Sequence, residues 1–279
     1  MIEGVATVFF AALFVFLLVD YPNNTKKFFS AEELQIAYVR VLHDRQSSVA
    51  QQKDRLTPWQ SVLAVLADPR SYVFLALYVL DSTCTSISYF VPVTLKTMGY
   101  TKVTAQWMTV PIWISGAIIM VILSTSSDYF RNRRYHTIVS MGIGFICAIV
   151  CLTVHDAKTR YAMLCFYIGG IYTAIAQILN WASEEMALPD QKRAVVLAFV
   201  NSFGNLSIIW GSRLWPSTQS PGYPTGFTAV STMAAVGAVM AFVMPFGFKL
   251  LPKEPMTKAE RDLIARERAR AAEAEDITA

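Results

Sequence analysis

The side chains best suited to chemistry in this sequence are polar groups that lie inside long apolar stretches. Asp81, Thr85 and Ser88 follow one another at intervals of four and three residues, so they share one face of a helix, with Tyr78 and Tyr89 close to it. An aspartate in apolar surroundings is costly and usually lines a water-filled path or contacts a neighbouring helix. Asp81 is therefore a candidate for proton coupling or substrate contact, or alternatively for a bond to a headgroup or a neighbouring helix.

Two further apolar stretches carry amide side chains at helical spacing. Gln177, Asn180 and Trp181 form one such group, and Asn201 and Asn205 form another. Amides in such helices either hydrogen-bond between helices or line solute paths, and the sequence leaves both interpretations open. The candidate path residues are Tyr78, Asp81, Thr85, Tyr89, Gln177, Asn180, Trp181, Asn201 and Asn205.

The elements that must position these residues are membrane helices. Of the 279 residues, 54% are hydrophobic and 16% are charged, whereas an average soluble domain carries about 25% charged residues. A bilayer core about 30 Å thick requires about 20 apolar residues of helix. The stretches with no charge, or with Asp81 alone, predict an all-α, polytopic membrane protein with seven helices, near residues 2–19, 71–95, 106–125, 136–154, 161–182, 194–212 and 226–248.

The lysines and arginines indicate which loops face the cytoplasm. When the loops are taken alternately, 20–70, 126–134, 183–193 and 249–279 hold 19 of the 24 basic residues, and the other loops hold five. Basic residues favour the cytoplasmic side, so the first set is expected there. This orientation predicts an external N-terminus and a cytoplasmic C-terminus.

The two longest polar segments each contain helix-start signals. Ser30 and Glu33 fit a capping box, and Thr57 precedes a second helix whose Trp59 could lie at the membrane interface. Another capping-box match, which includes Glu260, opens a charged helix expected to be solvated. The expected divisions are a membrane helix at 1–19, a cytoplasmic linker at 20–70, six helices at 71–249 and a cytoplasmic tail at 250–279.

Motifs of soluble enzymes are absent from the sequence. It has no phosphate loop and no dinucleotide fingerprint, and its three histidines are scattered at or beyond the helix ends. We therefore expect neither an enzyme nor a metal site, a cofactor or a nucleic-acid partner.

One short loop resembles a known family motif. Asp128 is followed by Arg131, Arg133 and Arg134 between the third and fourth predicted helices. This pattern resembles the cytoplasmic loop motif of the major facilitator superfamily, although Tyr129 stands where a basic residue is usual. Such an aspartate can hold a neighbouring helix end, and the arginines can pair between helices or with lipid headgroups.

Other stretches, in order along the chain, resemble fungal allantoate-permease-type anion:cation symporters. They are residues 20–33, 89–92, 98–101, 105–106, 110–111, 192–194, 203–205, 221–223 and 226–227. The resemblance implies a twelve-helix transporter of which this chain carries helices six to twelve. The expected architecture is a C-terminal six-helix half plus one preceding helix, either from a fragment of a longer product or from a truncated gene.

The resemblance also implies a function. A member of this family would carry out proton-coupled transport of a small organic anion, such as allantoate, nicotinate or pantothenate, by alternating access between two halves. The expected partners are the lipid bilayer, the anion, H+ and an N-terminal transporter half, in the plasma membrane. The alternative is a truncated, non-transporting membrane protein that is inert or binds another transporter half.

Overall fold

The computed structural model describes residues 2–18, 30–44, 56–97, 99–154, 156–186, 189–220, 222–251 and 257–266. The chain divides into two compact units, one made of residues 1–55 and 265–279 and the other of residues 56–264. All regular elements in the described parts are helices, which confirms the all-α fold class.

The described residues before position 55 in the first unit form two helices. Helix α1, Ile2–Leu17, is apolar throughout, and the large hydrophobic side chains along it are exposed. Helix α2, Ala31–Asp44, begins with the expected capping box, because the Ser30 backbone N–H donates to Glu33 at 2.8 Å and the Glu33 backbone N–H donates to the Ser30 hydroxyl at 3.2 Å.

The second unit contains the remaining described helices in a single bundle, except that the last two residues of the final helix lie beyond its boundary at residue 264. They are α3 Pro58–Ala67, α4 Pro69–Cys84, α5 Val91–Thr97, α6 Lys102–Trp107, α7 Thr109–Phe130, α8 Arg133–Thr153, α9 Ala157–Glu185, α10 Asp190–Asn205, α11 Ile208–Gly211, α12 Pro224–Leu250 and α13 at residues 258–266. Short 3₁₀ turns occur at Thr85–Tyr89, Ser212–Leu214 and Ser217–Gln219.

Five helical runs of this unit are long and apolar enough to cross a membrane. They are Val103–Phe130, Arg133–Thr153, Ala157–Glu185, Asp190–Leu214 and Pro224–Leu250. A sixth span is possible where α3 and the run Pro69–Tyr89 meet at a bend of 77°.

The second predicted span differs from the observed helix. The sequence predicted one helix over 71–95, but α4 tightens into a 3₁₀ turn after Cys84, and α5 is separate. The hydroxyls of Thr83, Thr85 and Ser88 donate to backbone carbonyls three or four residues earlier. Such local bonds compete with the regular helical pattern, which explains the early end of α4.

Small residues allow the helices of the bundle to approach closely. Helix α8 packs against α9 and α12, while α4 packs against α9, α10 and α12. A Cβ atom at Gly170 would lie 2.8 Å from the Ser140 carbonyl oxygen, and one at Gly144 would overlap Ile171. These glycines are therefore required for the contact between α8 and α9.

The loops predicted to face opposite sides of the membrane gather at opposite ends of the bundle. At one end, the starts of α4 and α10 contact α13, and we call this the basic end. At the other end, Arg160 donates to the Gly222 carbonyl at 2.9 Å and Tyr161 donates to the Met108 carbonyl at 2.9 Å. Asp156 caps α9 there, and the hydrogen bond from the Thr159 backbone N–H lowers the pKa of that carboxyl.

Three charged side chains form a buried cluster at the basic end, which we call the clamp. The Lys192 Nζ lies 2.9 Å from the Asp68 Oδ2 and 2.9 Å from the Glu260 Oε1. All three side chains are almost fully buried, and Leu263 of α13 is buried beside them. The side of α13 that carries Glu260 and Leu263 is therefore packed on the bundle, whereas Lys258, Arg261 and Asp262 are exposed, and the rest of the predicted charged tail lies outside the described residues.

The clamp gives a test of this packing. We expect Glu260→Gln to lower the stability of the chain by about 1–3 kcal/mol, because a charge-assisted bond to a buried ammonium becomes a neutral one. The measurement is the melting temperature in detergent. Asp262→Asn is the matched control, because it removes the same charge from an exposed position of the same helix. Equal melting temperatures for the two variants would contradict the clamp.

Candidate functional site

A hydrogen-bonded cluster joins α4 to α10 in the middle of the bundle. The Tyr78 hydroxyl donates to the Asn201 Oδ1 at 2.7 Å. The Asn205 Nδ2 donates to the same oxygen at 2.9 Å and to the Asn201 carbonyl at 2.8 Å. Tyr78 is buried, whereas both asparagines are exposed, so the cluster presents amide groups on the surface of the bundle.

The close approach of α4 and α10 depends on Gly204. A Cβ atom at this position would overlap the ring of Tyr78, so only glycine leaves room for the tyrosine. The packing of α4 against α10 is also supported by an edge-on contact of Tyr72 with Phe199, whose ring centroids are 5.9 Å apart. The cluster therefore occupies a defined position on two tightly packed helices.

Asp81 lies directly behind this cluster. Its carboxylate is fully buried, and neither oxygen has a hydrogen-bond partner among the described residues. Tyr78 and Cys84 each lie three residues from it along α4, and Tyr167 of α9 donates to the Cys84 carbonyl. Because a buried carboxylate without partners is costly as an anion, this arrangement accommodates the neutral acid far more easily than the charged form.

The loop between α7 and α8 holds a second polar network. Arg133 pairs with Asp128, lies 2.9 Å from the Glu184 Oε1, and donates to the Ser127 hydroxyl at 3.2 Å. Ser127 in turn donates to the Gln177 Oε1 at 2.8 Å. One guanidinium therefore joins the ends of α7 and α9 to the start of α8.

The other two arginines of the loop have different surroundings. Arg131 ends α7 in the left-handed conformation, with a φ of 49°, and is exposed. Arg134 donates to the Phe242 carbonyl at 2.7 Å and lies over the rings of Phe242 and Phe246, at 4.9 and 5.2 Å from their centroids. Arg134 therefore attaches α8 to α12 through a hydrogen bond and cation–π contacts.

The family model of the Major Facilitator Superfamily matches residues 1–212. The chain belongs to this superfamily. It is accordingly an integral, multi-pass membrane protein. Its relatives are named as transporters, so at the family level it is not an enzyme.

Several fungal transporters of the superfamily are similar to this chain. An uncharacterized transporter of Schizosaccharomyces pombe is 24% identical over 254 residues, which are 91% of this chain and 50% of that protein. The MFS-type transporter cnsO of Penicillium expansum is 27% identical and covers 86% of this chain and 48% of its own. The high-affinity nicotinic acid transporter of Saccharomyces cerevisiae is 27% identical over 70% of this chain and 37% of its own.

The chain thus spans about half the length of the relatives that it matches over most of its own residues. No solved structure matches the chain at a comparable level of significance.

In the structure, the nine predicted path residues fall into groups that differ in hydrogen bonding and exposure. Tyr78, Asn201 and Asn205 are hydrogen-bonded to one another, with Asp81 behind them. Asn180 and Tyr89 are exposed at other positions. The other three predicted residues, Thr85, Gln177 and Trp181, are buried.

The buried members of the predicted set have structural contacts. Thr85 donates to the Ser82 carbonyl at 2.8 Å, and Gln177 belongs to the Arg133 network through Ser127. Trp181 packs edge-on against Phe74, with ring centroids 5.4 Å apart.

Sequence reasoning missed the aromatic side chains that hold the polar half of α4. Tyr167 donates to the Cys84 carbonyl at 2.9 Å, Trp210 donates to the Thr83 hydroxyl at 3.2 Å, and Trp215 donates to the Ser86 hydroxyl at 3.0 Å. Buried Tyr and Trp side chains usually require such partners, so their presence inside apolar helices was an available signal. Their partners lie more than 80 residues away and cannot be inferred from spacing.

Another missed group lies on the exposed surface of α7 and α9. Tyr172 donates to the Ser88 hydroxyl at 3.2 Å and meets Trp113 edge-on, with ring centroids 5.4 Å apart. Trp113 is exposed and Tyr172 is partly exposed. This aromatic pair adjoins the 3₁₀ turn after α4, where the sequence had singled out Ser88.

The fit of Tyr78 against Gly204 gives a second test. We expect Gly204→Ala to lower the melting temperature, because the new methyl group displaces the Tyr78 ring and breaks its hydrogen bond to Asn201. Gly142→Ala is the control, since a Cβ there has open space around it. Replacing a helical glycine by alanine in open space stabilises by roughly 0.5–1 kcal/mol, so the two variants should shift in opposite directions.

Proposed function

We propose that this chain provides one half of the solute path of a proton-coupled transporter for a small organic anion. The observation that carries the proposal is the cluster of Tyr78, Asn201 and Asn205, which presents amides on the surface of the bundle with Asp81 buried behind it. Polar groups within membrane helices usually mark solute or ion pathways, and this cluster combines hydrogen-bonding groups with one ionisable group.

The chemistry of the cluster suits a carboxylate. The Asn201 amide nitrogen is exposed and donates no hydrogen bond to another described residue, so it can donate to a carboxylate oxygen. No lysine or arginine lies on α4 or α10 near the cluster, so the anion is bound by amides or carried together with a proton. One relative is named as a high-affinity nicotinic acid transporter, which supports a small carboxylate such as nicotinate as the solute. Allantoate and pantothenate are the other candidates.

In this proposal Asp81 carries the coupled proton. A proton on Asp81 removes the cost of burying the charged carboxylate, so the protonated protein can hold the side chain inside the bundle. Tyr78 precedes Asp81 by three residues on α4 and donates to Asn201, so its ring connects the helix that carries Asp81 to the exposed asparagines. Loss of the proton would favour a rearrangement that exposes Asp81, which couples proton release to movement of the helices.

The proposal includes an N-terminal half as partner and the plasma membrane as location. Transporters of this architecture bind solute between two halves and expose the site alternately to each side. Exposed Asn180 and Tyr89 would belong to the path surface, while Thr85, Gln177 and Trp181 support it from within the bundle. The transporters among the relatives favour this function over a non-transporting membrane protein.

The test is uptake of radiolabelled nicotinate, allantoate and pantothenate by yeast cells that lack their own uptake systems. It compares cells that express this chain with cells that express the longest product of its gene. Saturable uptake that rises with external acidity and is abolished by a protonophore supports the proposal. Absence of uptake of every carboxylate by both products would overturn it, and uptake by the longer product alone would assign the path to two halves.

A substitution of Asp81 tests its role separately. We expect Asp81→Asn to abolish uptake driven by the proton gradient while leaving exchange of labelled for unlabelled solute, because an amide fits the buried site but carries no proton. Asp262→Asn is the matched control, since it makes the same change at an exposed position of α13, away from the cluster. Proton-driven uptake that survives in Asp81→Asn would refute the role of this residue.

A further inference from the structure

Helix α3 is an apolar helix with two different faces. Residues 58–67 contain no Asp, Glu, Lys or Arg. Ser61, Ala64 and Val65 are buried on the side that packs against α10. The opposite face carries larger side chains that the chain leaves uncovered, with Trp59, Leu63 and Leu66 at 68%, 43% and 42% exposure.

The orientation of α3 is set by its junction with α4. Only Asp68 separates the two helices, and their axes differ by 77°. Because α4 packs along the membrane-length helices α9, α10 and α12, the 77° bend turns α3 across the bundle axis instead of along it. The junction is rigid, because Asp68 caps α4 by accepting from the Arg70 backbone N–H at 3.0 Å and also belongs to the clamp.

The exposed face of α3 continues onto the outer surface of α4. The Tyr72 hydroxyl donates to the Leu66 carbonyl at 2.9 Å, and Tyr72 is itself half exposed. Tyrosine and tryptophan are enriched where a bilayer meets water, because their rings are apolar and their N–H or O–H groups are polar. Trp59 and Tyr72 therefore both belong to an exposed surface that begins on α3 and continues onto α4.

We infer that α3 is an interfacial helix whose face of Trp59, Leu63 and Leu66 is immersed in the phospholipid leaflet at the basic end of the bundle. An apolar helix face in this position buries to the boundary between headgroups and acyl chains. The exposed face has no charge that would oppose its entry into the leaflet. The positive-inside pattern assigns this leaflet to the cytoplasmic side. The inference concerns the membrane surface and is independent of which solute the protein carries.

The test measures the fluorescence of Trp59 in the whole chain reconstituted into phosphatidylcholine vesicles. The chain has six tryptophans, so the Trp59 signal is the difference between the wild type and Trp59→Phe. Phosphatidylcholine with brominated acyl chains should quench this difference signal, and aqueous acrylamide should leave it largely unquenched. Quenching by acrylamide without quenching by bromine would overturn the inference, and quenching by neither would show that another protein surface covers the face.

A pair of matched variants tests the face itself. Leu63→Glu places a charge at the centre of the exposed face and should reduce bromine quenching of Trp59 and raise acrylamide quenching. Gln60→Glu adds the same charge at the edge of the helix, and glutamate can still accept the Thr57 backbone N–H that Gln60 accepts at 2.9 Å. In Gln60→Glu, bromine and acrylamide should therefore quench the fluorescence of Trp59 as they do in the wild type. Equal effects of the two variants would contradict a lipid-immersed face.

Discussion

Helices α4 and α10 start at the same end of the bundle and run side by side, and this pairing positions both the clamp and the cluster of Tyr78, Asn201 and Asn205. It is held at successive levels by an ion pair between Asp68 and Lys192, an aromatic contact at Tyr72 and a hydrogen bond between Tyr78 and Asn201. The hydrogen bond between Thr83 and Trp210 continues these contacts onto α11, the next helix along the chain. Each contact fixes the same register, because a shift of one residue along either helix would separate all of them. Hydrogen bonds and close packing, rather than the hydrophobic effect, hold helices together in lipid.

The chemistry of the bundle changes with depth. The basic end has ionic networks around Lys192 and Arg133, where charged groups can reach water or headgroups. The middle has neutral donors and acceptors, apart from Asp81, because an unpaired charge at this depth has no aqueous compensation. Asp81 is therefore the exception to this gradient. It is buried behind the exposed amides of Asn201 and Asn205 on α10.

Features that depend on local spacing were predictable from the sequence. Long uncharged stretches predicted the membrane helices, and the pattern of Ser30 and Glu33 predicted the start of α2, since both signals arise from residues close together in the chain. The hydroxyl-rich end of α4 was mispredicted as a continuous helix, because its side-chain bonds to the backbone do not alter hydropathy. Asn201 and Asn205 were recognised as a pair, but the donor that completes their cluster, Tyr78, comes from a different helix.

The clamp shows why long-range polar contacts escape such reasoning. Lys192 follows an apparent loop and precedes a charge-free stretch, so its position predicts a solvated residue at a helix start. Its burial depends on carboxylates 124 and 68 residues away in sequence. No periodicity relates three such distant positions, and only the packed helices bring them together.

The place of Glu260 in the chain has a consequence for biosynthesis. Ribosomes make proteins from the N-terminus, so α4 and α10 are synthesised before the codon for Glu260 is read. During that interval Lys192 has Asp68 as its only clamp carboxylate. The second carboxylate arrives with α13, and the buried charge is then shared among three side chains. The contacts at the start of α4 and α10 are therefore complete only after α13 has been made.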